Sequence, residues 1–255
     1  KGYSRTVMQD KLQSLVDSAQ ILLAAKMKNS DRTALQSAVA AAQQPLPQDN
    51  PDQVLTQSIV QLQTAIDSAV ISIDAYGELQ AALDSANVVY GDGSGNQAAA
   101  LRDVIDSNQA LADNLDAELS HVQSAPAAVY AAILAFRVAN SAGTPPVVIT
   151  DSRFARGATM AFGRSTISGV GLDDLREHGF CYGTNPNPTI FDQKTTKTFW
   201  NNGLIYRIEN LQPATVYYIR AYAIGPDYAV GYGDAIKVIT IPQGNVTYQL
   251  EGSVT

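Results

Sequence analysis

Few residues in this chain belong to types that do chemistry, and their spacing decides what they could do. There are two histidines, His121 and His178, and one cysteine, Cys181. A catalytic histidine needs a nucleophile and an orienting carboxylate close in space. Glu177 precedes His178, but neighbours in a strand point to opposite faces. Both histidines therefore read as solvated surface residues. Cys181 lies between Phe180 and Tyr182 in a strand-like run, without the helix N-terminus or cationic neighbour that makes a thiol reactive. It reads as a small buried apolar residue. Asp173, Asp174 and Glu177 sit too close in sequence for a glycosidase acid and base, which come from separate elements across a cleft. A solvated loop is expected there. Asp92-Gly-Ser94-Gly-Asn96, with Asp103 at the twelfth position, has part of the spacing of a calcium loop. Gln97 stands where the sharp turn needs Gly, and Asp103 where Glu is usual, so a helix–helix turn is expected and no metal. There is no Gly-rich phosphate loop opening a helix, no HExxH and no CxxC pair. The chain reads as non-enzymatic, with no cofactor.

Binding chemistry is concentrated in one stretch, Phe199-Trp200-Asn201-Asn202. Aromatic faces stack on apolar sugar faces, and amides satisfy hydroxyls. Tyr228 and Tyr232 are secondary partners for the same platform. The structural alternative is that Phe199 and Trp200 cover one end of a core, since large aromatics are usually mostly buried.

The elements that must carry these residues differ sharply along the chain. Residues 1–143 hold 8 Lys/Arg against 15 Asp/Glu, while residues 144–255 hold 9 of each. The first part is rich in Ala, Gln, Leu, Ser and Asp, and the second in Gly, Thr, Tyr and Ile. These are helix-former and strand-former compositions side by side. An acidic chain with no basic stripe is a poor nucleic-acid binder. No apolar run reaches the length of a membrane span, and no signal peptide is visible. The start at Lys1 rather than Met reads as a processed or truncated product. Ser141-Ala-Gly-Thr-Pro145-Pro146 is the linker, with Gly ending a helix and two prolines forcing extended backbone.

The first part repeats itself. Leu12-Gln-Ser-Leu-Val-Asp17-Ser18-Ala19 matches Leu79-Gln-Ala-Ala-Leu-Asp84-Ser85-Ala86 at an offset of 67, and Ala65-Ile66 matches Ala132-Ile133 at the same offset. Ala34-Leu35 matches Ala100-Leu101 at an offset of 66. The pattern is that of a duplicated three-helix unit. Met8, Leu12, Leu15, Ala19 and Leu22 make one apolar stripe. Leu55, Ile59, Leu62, Ile66, Val70 and Ile73 make a second, and Leu101, Ile105, Asn108 and Leu111 a third. Ser30 or Asp31 is expected to cap the second helix, and Asn50 with Pro51 the third. Only Gly77 interrupts helix formers between Asp52 and Tyr90, so the last helix of unit one is expected to run on as the first of unit two. This acidic, Ala-rich repeat with Asn-Pro before its third helix resembles the FIVAR-like three-helix modules of bacterial surface proteins, over roughly residues 6–140. Pro126 departs from the pattern and is expected to kink or restart its helix.

After the linker the chain reads as short strands over 147–150, 158–168, 179–182, 204–208, 215–224 and 229–241, with turns at 201–203 and 225–227. Leu211-Gln-Pro213-Ala-Thr215-Val-Tyr217 resembles the E–F corner of fibronectin type III domains, where a Tyr hydroxyl bonds back to the corner backbone. With Glu177-His-Gly-Phe180-Cys-Tyr182-Gly-Thr-Asn-Pro186-Asn-Pro-Thr189, it is similar to the fibronectin type III–like domains of secreted and surface proteins of Bacteroidetes, over about residues 146–242. Leu211, Pro213, Thr215 and Tyr217 would be structural residues of that corner. Met160 and Phe162 would fill the place of a missing core Trp. Residues 245–250 look like another strand.

The fold expected is therefore all-α plus all-β: tandem three-helix bundles sharing a long helix, then a fibronectin type III-like β-sandwich. The domains expected are 1–75 and 76–143 for the helical units, 144–242 for the sandwich, and 243–255 for a terminal extension or the start of a further domain. The resemblance implies an extracytoplasmic, cell-surface or secreted setting. The function expected is a non-catalytic spacer and binding module, presenting a surface to a glycan or surface protein, with no nucleic acid and no membrane insertion. The alternative is the N-terminal accessory region of a larger secreted hydrolase, a peptidase or glycosidase, with its catalytic domain in a downstream part of the same polypeptide.

Overall fold

The computed structural model describes residues 4–196 and 204–244. The chain divides into two compact units, Lys1–Phe136 and Arg137–Thr255. Among the described residues, the regular elements of the N-terminal region are all helices and those of the C-terminal region all strands, apart from one short 3-10 turn at Leu172–Asp174.

The helical region comprises α1 (Arg5–Leu22), α2 (Asn29–Ala42), α3 (Pro51–Tyr90), α4 (Ala98–Asp113) and α5 (Leu119–Ala139). It has two apolar cores. Leu12, Val16 and Ala19 of α1, Leu35 and Val39 of α2, and Leu55, Leu62 and Ile66 of α3 form the first. Tyr76, Leu79 and Leu83 of α3, Leu101 and Ile105 of α4, and Val122, Val129 and Ile133 of α5 form the second. Residues 67 apart hold matching buried places: Leu12 and Leu79, Val16 and Leu83, Ala19 and Ala86, Leu55 and Val122, Leu62 and Val129. A surface bond recurs too, with the Gln13 side-chain amide donating to Asp17 at 2.8 Å and that of Gln80 to Asp84 at 2.9 Å.

Helix α3 belongs to both cores. Its 40 residues pass through Gly77 without a break, a length of about 60 Å at 1.5 Å per residue. At its middle the α1–α2 and α4–α5 turns meet. The Lys28 N–H donates to the Ser72 hydroxyl at 2.7 Å, the Asn29 N–H to the Leu115 carbonyl at 2.9 Å, and the Tyr76 hydroxyl to the Asn114 carbonyl at 2.8 Å. The Asn29 side-chain amide donates to Asp116 at 3.0 Å, and Lys26 lies 3.3 Å from Asp113.

Several local expectations are corrected here. Helix α2 begins at Asn29, with Lys28 at the N-cap position and no side-chain cap. The cross-turn bonds of Lys28 and Asn29 set that start, not Ser30 or Asp31. Asn50 does precede α3, in a left-handed conformation, but its side chain makes no cap bond. Val70 is exposed and Ala69 buried in its place, because a 3.6-residue period drifts off a strict four-and-three count. Pro126 lies inside α5 and does not restart it; it occupies the place 67 residues after Ile59. Helix α5 is also long and apolar enough, by length and composition, to cross a membrane. Alanine fills the gaps between its few polar residues, so no uninterrupted apolar run was needed. Val122, Ala125, Val129 and Ile133 of α5 pack into the second core, while only 17% of its most apolar stretch is buried.

The described residues of the β region form two antiparallel sheets. In one, β1 (Val147–Thr150) and β2 (Ala155–Arg156) follow each other along one edge of β3 (Ala161–Ser168), and β6 (Ile205–Ile208) pairs with its other edge. In the other, β5 (Gln193–Thr195), β4 (Glu177–Gly183) and β7 (Val216–Ile224) lie side by side, and β8 (Val230–Tyr232) and β9 (Ile236–Ile239) share the far edge of β7. Phe180, Tyr206, Ile208, Tyr217, Ile219 and Val238 are central to the apolar core of this region.

The strand expected over 229–241 is two strands. At Gly233 the backbone passes so close to Thr150 that a Cβ would strike its main chain, and at Gly231 it would strike the Pro146 carbonyl. The last strand breaks where β1 crowds it. Strands β2 and β5, two and three residues long, are too short to show a period. The place of a core Trp is filled by neither Met160 nor Phe162. Ala161, Gly163 and Ser165 are the buried positions of β3, and Phe162 alternates away from them. Phe154 leans over the bare Gly163 and meets Phe180 edge-to-face at 5.7 Å. Residues 199–203 and 245–250, where a binding stretch, a turn and a last strand are expected, lie outside the described residues.

Candidate functional site

Strand β4 carries most of the chemistry-bearing side chains, and period two sorts them. His178, Phe180 and Tyr182 face inward, while Glu177, Cys181 and Gly183 face outward. The His178 ring nitrogen Nδ1 bonds the Tyr206 hydroxyl across the sandwich. Burial lowers the His178 pKa, with Glu177 pulling the other way, and pushes the Tyr206 hydroxyl up to about 12. His178 is thus half-buried and hydrogen-bonded rather than solvated, because its partner comes from a strand 28 residues away. His121 is exposed, on α5.

On the outer face, Glu177 accepts from the Tyr222 hydroxyl at 2.5 Å and from Lys194 at 2.6 Å. Tyr222 is fully buried, and burial followed by the Glu177 hydrogen bond drives its pKa far up. Glu177 is therefore held by strands β5 and β7, not solvated in a loop. Asp173 and Asp174 are exposed on the 3-10 turn. Among the described residues, neither Glu177 nor His178 bonds a serine, threonine or cysteine nucleophile. Each is tied to a tyrosine hydroxyl on its own side of the sheet, Glu177 through Oε1 and His178 through Nδ1.

Cys181 is buried, but on this outer face rather than in the sandwich core. Residues 184–192 fold back over it as a strap. The Pro188 carbonyl accepts from the Cys181 thiol at 3.2 Å and from the Arg220 guanidinium, and Tyr232 Oη accepts from the Ile190 N–H at 3.1 Å. Asp192 pins the return of the strap, accepting from Thr189 N at 2.7 Å and Thr189 Oγ1 at 3.0 Å. Burial pushes the thiol up to about 11, against the opposing pull of Arg220. Such a group is a poor nucleophile near neutral pH. The strap was hidden in the run from Tyr182 to Thr189, whose two prolines and left-handed Asn187 (φ 56°) are its signal.

Of the expected binding residues, Phe199, Trp200, Asn201 and Asn202 lie outside the described residues. Tyr228 and Tyr232 are half-buried and not brought together. The guanidinium carbons of Arg176 and Arg137 lie 4.0 and 4.8 Å from the Tyr228 ring centre, and that of Arg220 lies 4.0 Å from that of Tyr232. The stacking expected for a ligand is made here by the chain's own cations.

The corner residues come together. The Gln212 N–H donates to Tyr217 Oη at 3.0 Å, and the Thr215 hydroxyl to the Pro213 carbonyl at 2.8 Å. Leu211 is buried in the core. Asn210 and Ala214 take left-handed conformations on either side of the turn (φ 61° and 49°).

Beside this corner the strap leaves a cleft of about 270 Å3, lined by Tyr182, Thr184, Asn185, Asp192, Gln193 and Tyr217 among others. Sequence reasoning missed it, because its lining comes from two strands and a loop. On the helical side, the Asp92 carboxylate accepts from Ser94 N and Oγ at 3.0 and 2.6 Å, which hold it below the usual carboxylate range. It serves its own turn, and among the described residues no three His, Cys, Asp or Glu side chains gather to hold a metal.

No family model matches the chain, and no curated protein does. Among solved structures it is similar to the sixth fibronectin type III domain of human fibronectin type III domain containing protein 3, at 23% identity over 43% of this chain and 97% of that one, with a TM-score of 0.28. It is also similar to a fibronectin type III domain of human contactin 1, at 14% identity over 43% of this chain and 87% of that one, TM-score 0.29. A third is the sensor domain of the anti-sigma factor RsgI4 of Pseudobacteroides cellulosolvens, at 17% identity over 39% of this chain and 97% of that one, TM-score 0.28. The class reached is a helical region followed by an antiparallel β region. That β region weakly resembles fibronectin type III domains.

Proposed function

We propose that this chain is a non-catalytic spacer and presenting module: tandem three-helix units stiffened by a shared helix, followed by a fibronectin type III-like sandwich that displays a binding surface to a glycan or a surface protein. The observation that carries the reading is α3, one helix of 40 residues serving two cores. A helix shared in this way, with the flanking turns bonded across its middle, transmits position rather than chemistry. The matched burial of residues 67 apart supports the duplication. The Tyr217 corner and the strand pairing of the β region support the sandwich assignment. The bonds of Glu177 and His178 to the buried tyrosines Tyr222 and Tyr206 support a structural use of those groups. The extracytoplasmic, cell-surface setting belongs to the same reading and follows the FIVAR-like and fibronectin-like resemblances.

Spin labels test it on the full chain. Ser14→Cys and Asp103→Cys place labels on exposed positions of α1 and α4, while the native Cys181 is buried. Pulsed dipolar spectroscopy is expected to give one narrow distance distribution. A broad or bimodal one would overturn the stiff spacer.

A further inference from the structure

We propose that the cleft between the strap and the Tyr217 corner holds one ring of a neutral saccharide. The inference deepens the presenting reading and rests on it for the role of the sandwich. Three observations point to the ligand class. The aromatic wall comes first: the half-buried Tyr182 lines the cleft, and the largely buried Tyr217, also in the lining, meets it edge-to-face with centroids 6.5 Å apart. Rings in this setting pack against the C–H faces of a pyranose. The second is hydrogen-bonding capacity. The side chains of Thr184, Asn185 and Gln193 are exposed at the mouth, with no hydrogen-bond partner among the described residues. Each amide both donates and accepts, which suits adjacent hydroxyls.

Charge is the third. Asp192 is the one charged group in the lining. Thr189 holds its Oδ2, and Oδ1 has no partner among the described residues. A fixed carboxylate accepts strongly from a hydroxyl and repels acids and phosphates. A single carboxylate is too little for a cation. A peptide would seek the free backbone of a sheet edge. In this cleft six of the eight lining residues carry polar or aromatic side chains, and main chain enters it at Gly183 and at Pro188, which has no N–H to offer. Its volume of about 270 Å3 suits one ring rather than a chain.

The test is a two-dimensional amide NMR titration of the full chain with methyl glycosides of glucose, galactose, mannose and N-acetylglucosamine. At least one is expected to shift amides within residues 182–193 and around Tyr217, with a dissociation constant on the order of millimolar. Asn185→Ala combined with Gln193→Ala removes exposed groups without intramolecular partners and should weaken binding about tenfold, the worth of one or two hydrogen bonds. The single Asn185→Ala variant, in the loop, keeps the test open should the pair perturb β5. Glucuronate is expected to bind more weakly than glucose. No shift with any glycoside, shifts confined to other regions, undiminished binding by the variants, or a response to peptides alone would each overturn the proposal. The label-to-label distance in the helical region does not depend on that outcome, so the two readings fail separately.

Discussion

Tyr217 joins two kinds of packing. Its ring is 7% exposed and belongs to the sandwich core, while its hydroxyl accepts the Gln212 N–H. Tyr217→Phe keeps the ring and deletes the acceptor. The expected cost is about 1 kcal/mol, the net worth of one hydrogen bond, read as a lower urea midpoint for the β region at unchanged slope. An unchanged midpoint would mean that water replaces the hydroxyl fully. This corner was legible in the sequence because donor and acceptor are only five residues apart. The His178–Tyr206 bond was not, since its partners lie 28 residues apart on facing sheets. Phe154 was missed for a related reason. Nothing local to it says that Gly163, on the next strand, leaves room for a ring. The cleft shares this character. Tyr182, Asp192 and Tyr217 are ordinary residues until the strap and the corner bring them to one place.

Among the elements, α3 is the one whose continuity the sequence announces. Apolar steps of three and four run through it, and no proline follows Pro51 within it. Gly77 is its weakest point. It is exposed, and a Cβ built there meets nothing within 4 Å. Gly77→Ala should therefore stabilise the helical region by about 1 kcal/mol, the helix-propensity difference between the two residues. A raised thermal midpoint by circular dichroism checks it. A loss of stability would mean that the helix needs a flexible joint there. Where elements were misjudged, a distant contact set the boundary. Helix α2 starts where Leu115 and Ser72 receive its first N–H groups. The edge strand beside β7 breaks after Tyr232, where Thr150 approaches Gly233. Neither signal exists in the local sequence.

At the scale of the whole molecule, the question is how many parts unfold as one. There are three apolar cores but two compact units. The bonds around Ser72 and Tyr76 tie the two helical cores together, so they should open cooperatively. Leu35 in the first core and Leu101 in the second are almost completely buried, and truncating either to Ala costs about 2–5 kcal/mol. Under native conditions, hydrogen exchange by mass spectrometry should then rise across all of α1–α5 in Leu35→Ala, including α4 and α5, whose own core is untouched. Leu101→Ala should give the same pattern, and β7 should keep its protection in both. Ser72→Ala in the Leu35→Ala background removes the acceptor of the Lys28 N–H and weakens the tie. Exchange should then rise further around α1 and α2 than around α4 and α5. Had the two cores been independent neighbours on a common helix, Leu35→Ala alone would loosen α1, α2 and the first half of α3, and leave α4 and α5 protected. That result would remove the rigidity on which a spacer depends, because a helix shared by two separately opening cores transmits position only while both are closed.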